Sequence, residues 1–272
     1  MSAALVRDFF PGLENFLGHT LWNVFFPSSV ERLCPRPHVS VQVTDTMTIT
    51  LMWPAASIWC ALGVIIGFSY GTLLLCKGSA WKTNNGTFIW VCAFLWYGTM
   101  SLGGLLYHCI SKMRVFYLLD VISTACTCAT LIAIYRIFLI SNYQGIKLKS
   151  SLFLTYIIIS CLAIYGGDRV MNILYLGPAS LAFILGSHFA LEKGSQSTQG
   201  RLALIGASLS AVTAIAAVPL DAWFCYHFGS NFSMLFWFFA GSDLAMVFLF
   251  HYTQAIIPEK NSTGHLFKGK CL

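Results

Sequence analysis

Long apolar runs separated by short polar breaks dominate the chain. From about residue 47 onward the pattern predicts seven spans, at 47–76, 87–109, 114–140, 150–166, 170–191, 202–227 and 232–257. A helix needs about 20 mostly apolar residues to cross the hydrocarbon core of a bilayer, and each run is near that length. The fourth is short, and only Gly166-Gly167-Asp168-Arg169 separates it from the fifth. Six helices with one re-entrant segment therefore stays open as an alternative. The fold class read from this pattern is all-α, a polytopic membrane protein built as a seven-transmembrane-helix bundle.

The flanks differ from the runs. Residues 1–45 are mixed, with Phe9, Phe10, Leu13, Phe16, Leu17, Leu21 and Trp22 at roughly helical spacing. That amphipathic pattern suits an interfacial helix, and Pro27, Pro35 and Pro37 then break it. Arg7-Asp8 and Pro11 interrupt any continuous apolar core, so the segment does not read as a cleavable signal peptide. The first spanning helix is expected to serve as the targeting signal. Three parts result: an N-terminal segment 1–45, a membrane domain 46–257 and a polar tail 258–272.

Composition supports the same picture. Of 272 residues, 57% are hydrophobic and only 10% charged, and the mean hydropathy is +0.72. Soluble domains carry about 25% charged residues, so a soluble chain this apolar could not cover its own core. The net charge of +6 comes without a dense Lys/Arg run, which argues for membrane topology and against a nucleic-acid partner. With the N-terminus outside, ten Lys and Arg fall on cytosolic segments (Lys77, Lys82, Arg136, Lys147, Lys149, Lys193, Arg201, Lys260, Lys268, Lys270). Six fall on the other side: Arg7, Arg32, Arg36, Lys112, Arg114 and Arg169. Positive charge favours the cytosolic face. The N-terminus is thus expected to be lumenal or extracellular and the C-terminus cytosolic, in an endomembrane (ER or Golgi) or the plasma membrane. The tail carries no KDEL-type retention signal.

The ten cysteines are scattered, without a CxxC pair, and most sit in apolar runs. That usage argues against a disulfide framework. Cys126 and Cys128 are two apart on a helix and point different ways, so one metal would not easily use both. Cys271 suits palmitoylation but fits no prenylation signal.

Ionisable residues inside spans are costly and are functional-site hypotheses by default. They are His108, Asp120, Asp221, Asp243 and His251, with His227 at a helix end. His108 closes the second span, Asp120 lies about one and a half turns into the third, and Asp221 about one and a half turns before the end of the sixth. All three are expected at similar depth on one side. Together they would bind a divalent metal such as Zn²⁺, or form a hydrogen-bonded cluster that fixes helix packing. Asp243, mid-span in the seventh helix, must be protonated, paired or wetted, and Arg136 and Lys147 are at the wrong depth to pair with it. His251 is placed to meet the cytosolic interface. Ser101 and His108 are seven apart, two turns on one face, too far for a direct hydrogen bond. Ser101 reads as a packing residue bonded to its own helix, or as linked by water to Asp120.

Four local patterns resemble the CREST superfamily of seven-helix membrane hydrolases, which includes the alkaline ceramidases. Trp53-Pro-Ala-Ala-Ser57 followed by Gly67 resembles the family's W-N-x-x-S…G opening. Tyr107-His108 with Leu118-Leu119-Asp120 resembles its F-H…L-L-D pair, with one extra residue between. Leu220-Asp221-Ala-Trp-Phe224-Cys225 resembles I-D-x-x-F-C, and Phe236-Trp237 the aromatic pair of helix seven. The resemblance spans roughly residues 50–257 with sparse identities. More loosely, an aromatic-Tyr-Gly in helix two and an F-W…D…F-L-F ending resemble the transmembrane protein 187 family. The CREST resemblance implies a zinc ion on three histidines, with a serine one turn before the first and an aspartate in helix three. By position His108 takes the first-histidine place and Asp120 the aspartate place, but Gly104 stands in the serine place. Counting back from Trp237, the two helix-seven histidine places hold Met234 and Phe238. The ceramidases' acidic N-terminal calcium motif is not evident.

Two functions follow as expectations. The first is a CREST-like membrane protein that lacks the full zinc centre, binds no cofactor, and binds membrane lipid or a protein partner. The second is a lipid amidase or lipase with a rebuilt site, in which Zn²⁺ on His108 with Asp120, Asp221 or His227 generates hydroxide, Asp120 and Ser101 being the candidate catalytic residues.

Overall fold

The computed structural model describes residues 37–44, 47–77, 85–139, 145–192, 198–217 and 220–256. The amphipathic helix expected before residue 37 and the tail after 257 lie outside them. Within them the chain opens with a hairpin, β1 (His38–Thr44) and β2 (Met47–Met52). The strands are antiparallel, pairing His38 with Met52 through Gln42 with Thr48 and then shifting register. Residues 47–52, expected to begin the first span, are therefore strand. The β-branched run Thr48-Ile49-Thr50 favours the extended state. Trp53 then turns the chain with φ at +55°, and Pro54 opens α1, where its fixed φ and missing N–H suit the first helical position.

Eight α-helices follow among the described residues. They are α1 (Pro54–Lys77), α2 (Asn85–Gly104), α3 (Arg114–Leu139), α4 (Gly145–Tyr165), α5 (Asp168–Glu192), α6 (Thr198–Ala217), α7 (Asp221–Phe228) and α8 (Met234–Ile256). Five are long and apolar enough to cross a membrane: α1, α3, α6, α8, and α2 taken with the π-helical turn Leu105–Ile110 that ends it. In α4 and α5 the apolar stretches are shorter, Lys149–Tyr165 and Ile173–Phe189. The expected sixth span is divided. α6 stops at Ala217 and α7 is a separate eight-residue helix, because Pro219 lies between them and cannot continue a helix.

Between apolar helices in lipid, close approach of backbones replaces the hydrophobic effect as the source of adhesion. The chain supplies small residues where helices cross. A Cβ on Gly67 of α1 would lie 2.4 Å from the Gly98 Cα of α2. One on Gly103 would lie 2.7 Å from the Asp120 backbone nitrogen of α3. α8 packs intimately on α6 through Gly241, where a Cβ would lie 2.7 Å from Ser210 O, and Gly206 faces the Phe248 ring. The small residues of α6 thus serve packing within this chain. α4 is peripheral, touching α3 and α5, with Phe153, Leu154, Ile157 and Ile158 exposed on its outer face.

Candidate functional site

The hairpin, the N-termini of α1, α3 and α8, the C-terminus of α2 and the helix α7 lie at one end of the bundle. There the last turn of α2 widens into the π-turn, with Ser111 N–H donating to Leu106 O at 2.7 Å. Single π-turns inside helices re-aim side chains, often at functional sites. This one turns His108 toward α3, where its Nε2 lies 3.2 Å from Asp120 Oδ2. Asp120 is 1% exposed and His108 18%. The close Gly103 contact sets the α3 backbone against α2 at this level. Asp120 Oδ1 is buried and has no partner.

The expected companions lie elsewhere. Asp221 does not sit inside a spanning helix. It opens α7, and its Oδ1 accepts the Met234 N–H at 2.7 Å, so it satisfies a free donor in the first turn of α8. His227, in the last turn of α7, is exposed, its ring 4.7 Å from the Trp223 ring. Among the described residues no group of three or more His, Cys, Asp or Glu is arranged to hold a metal ion. From α8 the ring that faces His108 is Phe239, at 6.5 Å between centroids. Phe239 is fully buried. Gly104 makes room for it, since a Cβ there would lie 2.5 Å from Phe239 Cζ. A carbon ring thus occupies the flank of His108 that faces α8.

Deeper in the bundle is a second polar group that the sequence did not reveal as a unit. Asp243 of α8 is 1% exposed, and the buried Tyr97 of α2 donates its hydroxyl to Asp243 Oδ1. Ser101, one turn beyond Tyr97, belongs here and not with Asp120. A Cβ on Gly63 of α1 would lie 2.4 Å from Ser101 Oγ and 2.6 Å from Asp243 Oδ1. Asp243 Oδ2 is without a partner, and Ser101 Oγ has beside it only the hydroxyl of Tyr97, one turn back on the same helix. Between the two acids lies Cys60 of α1, beside the Cys109 thiol and within electrostatic range of both Asp120 and Asp243. His251 is exposed at the far end of α8.

Beside Tyr97 a cavity of about 130 Å³ opens among α2, α3, α5, α6 and α8. Its wall is almost wholly apolar, with Leu131, Phe183, Ala207, Ala211, Phe238 and Met246 prominent. The buried hydroxyls of Thr124 and Ser187 are on the wall and have no partner. Small residues on α5 and α6 leave this space.

Comparison with known protein families, with curated proteins and with solved structures finds nothing that matches this chain.

Cys225 of α7 is disulfide-bonded, and the other described cysteines are free. Tyr97, Phe239 and Gly63 were missed. None is unusual in its own segment, and Tyr97 is 146 positions from its partner Asp243.

Proposed function

We propose that the chain is a seven-helix membrane protein of CREST-like arrangement that lacks a working zinc hydrolase centre and binds a lipid in the cavity between α2, α3, α5, α6 and α8. The observation that carries this reading is the cavity itself: apolar walls with two free hydroxyls suit an acyl or isoprenoid body with a hydrogen-bonding group. α4 and α5, with 21 and 25 residues, are long enough at about 1.5 Å per residue to cross beside the other five. Orientation has independent support. Disulfides persist in oxidising compartments, so the bonded Cys225 favours a lumenal or extracellular hairpin end, as the Lys/Arg distribution does. The loss of hydrolysis rests on Phe239, which fills the space beside His108, and on Asp221, which is engaged at the start of α8.

Lipid extracted from protein purified in mild detergent tests the reading. A single lipid class retained in stoichiometric amount, and lost when Ala211→Trp fills the cavity, is the expected result. A folded Ala211→Trp variant that retains the same lipid would refute it.

A second reading draws on the His108–Asp120 pair and the unpartnered Asp120 Oδ1. There Zn²⁺ would sit on His108 and a carboxylate, polarise an amide or ester carbonyl, and supply hydroxide. Zinc content decides between the two, because a catalytic site needs about three protein ligands to retain the ion.

A further inference from the structure

The Tyr97–Ser101–Asp243 group lies outside the His108 end and meets the lipid cavity only through Tyr97. Asp243 carries a carboxyl group in the middle of α8, 1% exposed. Isolated charge inside a bilayer is strongly disfavoured, and natural chains pair it, neutralise it or use it. The groups that face it are known from each packed helix. α2 contributes Tyr97, whose hydroxyl takes one carboxyl oxygen, and α1 contributes Cys60. α6, packed on the other flank of α8, carries its one cation, Arg201, in its first turn. No Lys, Arg or His among the described residues pairs with Asp243. Asp243 Oδ2 remains unused, and Ser101 Oγ has only the Tyr97 hydroxyl beside it; both are fully buried. Gly63 supplies the space, since Ser101 Oγ and Asp243 Oδ1 converge where a side chain at 63 would sit.

We propose that Asp243, Ser101 and Tyr97, gathered against Gly63, form an intramembrane site for a small monovalent cation, sodium or a proton. The missing element in this group is a single positive charge small enough to fit among closely packed helices. Oxygen donors with one carboxyl group supply it with a counter-charge and hydrogen-bonding partners. A divalent ion would need more carboxylates than the group has.

Thermal unfolding of the full chain in detergent micelles tests this, with choline as the inert cation at alkaline pH. Adding sodium chloride, or lowering the pH without sodium, raises the melting temperature of the wild type. Saturation by either cation shifts it by about 5 °C or more. Asp243→Asn removes the dependence. Should that variant fail to fold, Tyr97→Phe keeps the carboxyl group but removes the hydroxyl bonded to it, so sodium, which loses an oxygen donor, binds about tenfold more weakly, while the proton, which no longer competes with that hydrogen bond, binds more tightly. A sodium response at constant pH identifies the metal ion. A pH response with an infrared carboxylic-acid band, absent in Asp243→Asn or shifted in Tyr97→Phe, identifies the proton. A melting temperature indifferent to both cations overturns the proposal. So does a dependence that survives unchanged in Asp243→Asn or, where only it folds, in Tyr97→Phe.

Discussion

Alanine at Gly63 is expected to destabilise the bundle by one identifiable collision. The added Cβ would stand 2.4 Å from Ser101 Oγ, 2.6 Å from Asp243 Oδ1 and 2.9 Å from Ser101 Cβ, all well inside contact distance. Inserting a methyl group into a packed site costs about 1–3 kcal/mol. For a chain of this size that lowers the melting temperature by roughly 3–10 °C. Gly167→Ala is the control. A Cβ there meets nothing within 4 Å, so its effect should stay within about 0.5 kcal/mol. The sharper test is the double variant. Measured with choline as the cation at alkaline pH, Ser101→Ala alone removes a hydroxyl whose one neighbour is that of Tyr97, so it should cost about 1 kcal/mol or less. Combined with Gly63→Ala it removes the nearest clashing atom, and the pair should be more stable than the sum of the two changes by more than about 0.5 kcal/mol. Thermal unfolding of the four proteins in one detergent gives the coupling. Additive effects, or a Gly63→Ala protein as stable as the wild type, would show that Ser101 does not face α1 as described.

Three further outcomes are expected. Asp221→Ala removes the acceptor of the Met234 N–H and should destabilise by about 0.5–2 kcal/mol, as loss of a helix cap does, with Asp221→Asn losing less; equal losses would argue against capping. His108→Ala leaves the buried Asp120 without its contact from the π-turn and should cost about 1–3 kcal/mol, read by denaturant unfolding. A neutral result would mean that the pair is not formed in solution. Reduction of the disulfide at Cys225 should destabilise by about 2–4 kcal/mol and expose a thiol to a maleimide label. A thiol that labels fully before reduction would contradict the bond.

The helical architecture was legible because bilayer-spanning runs are read from composition over 20 residues, and no long-range pairing is needed to see them. The start of the first helix was not, because the apolar β-branched residues of β2 continue into α1 and hydropathy does not separate strand from helix. The continuous apolar pattern over 202–227 hid the separate α7 and misplaced Asp221. The His108–Asp120 pair was legible, since both lie near one short loop and enter from the same side. Its setting was not: the π-turn alters helical register after Gly104, so two-turn spacing no longer keeps Ser101 and His108 on one face. Phe239, whose ring faces His108, gave no local sign of doing so among the aromatic residues of α8. Asp243 was flagged by its burial, but Tyr97, an ordinary apolar-run tyrosine, gave no local sign of being its partner.

A native mass spectrum of the protein released from micelles separates a lipid-binding bundle from a zinc hydrolase. A lipid adduct with no zinc at stoichiometric occupancy is expected in the wild type and in His108→Ala alike. One zinc per chain in the wild type, lost in a folded His108→Ala variant, would contradict it.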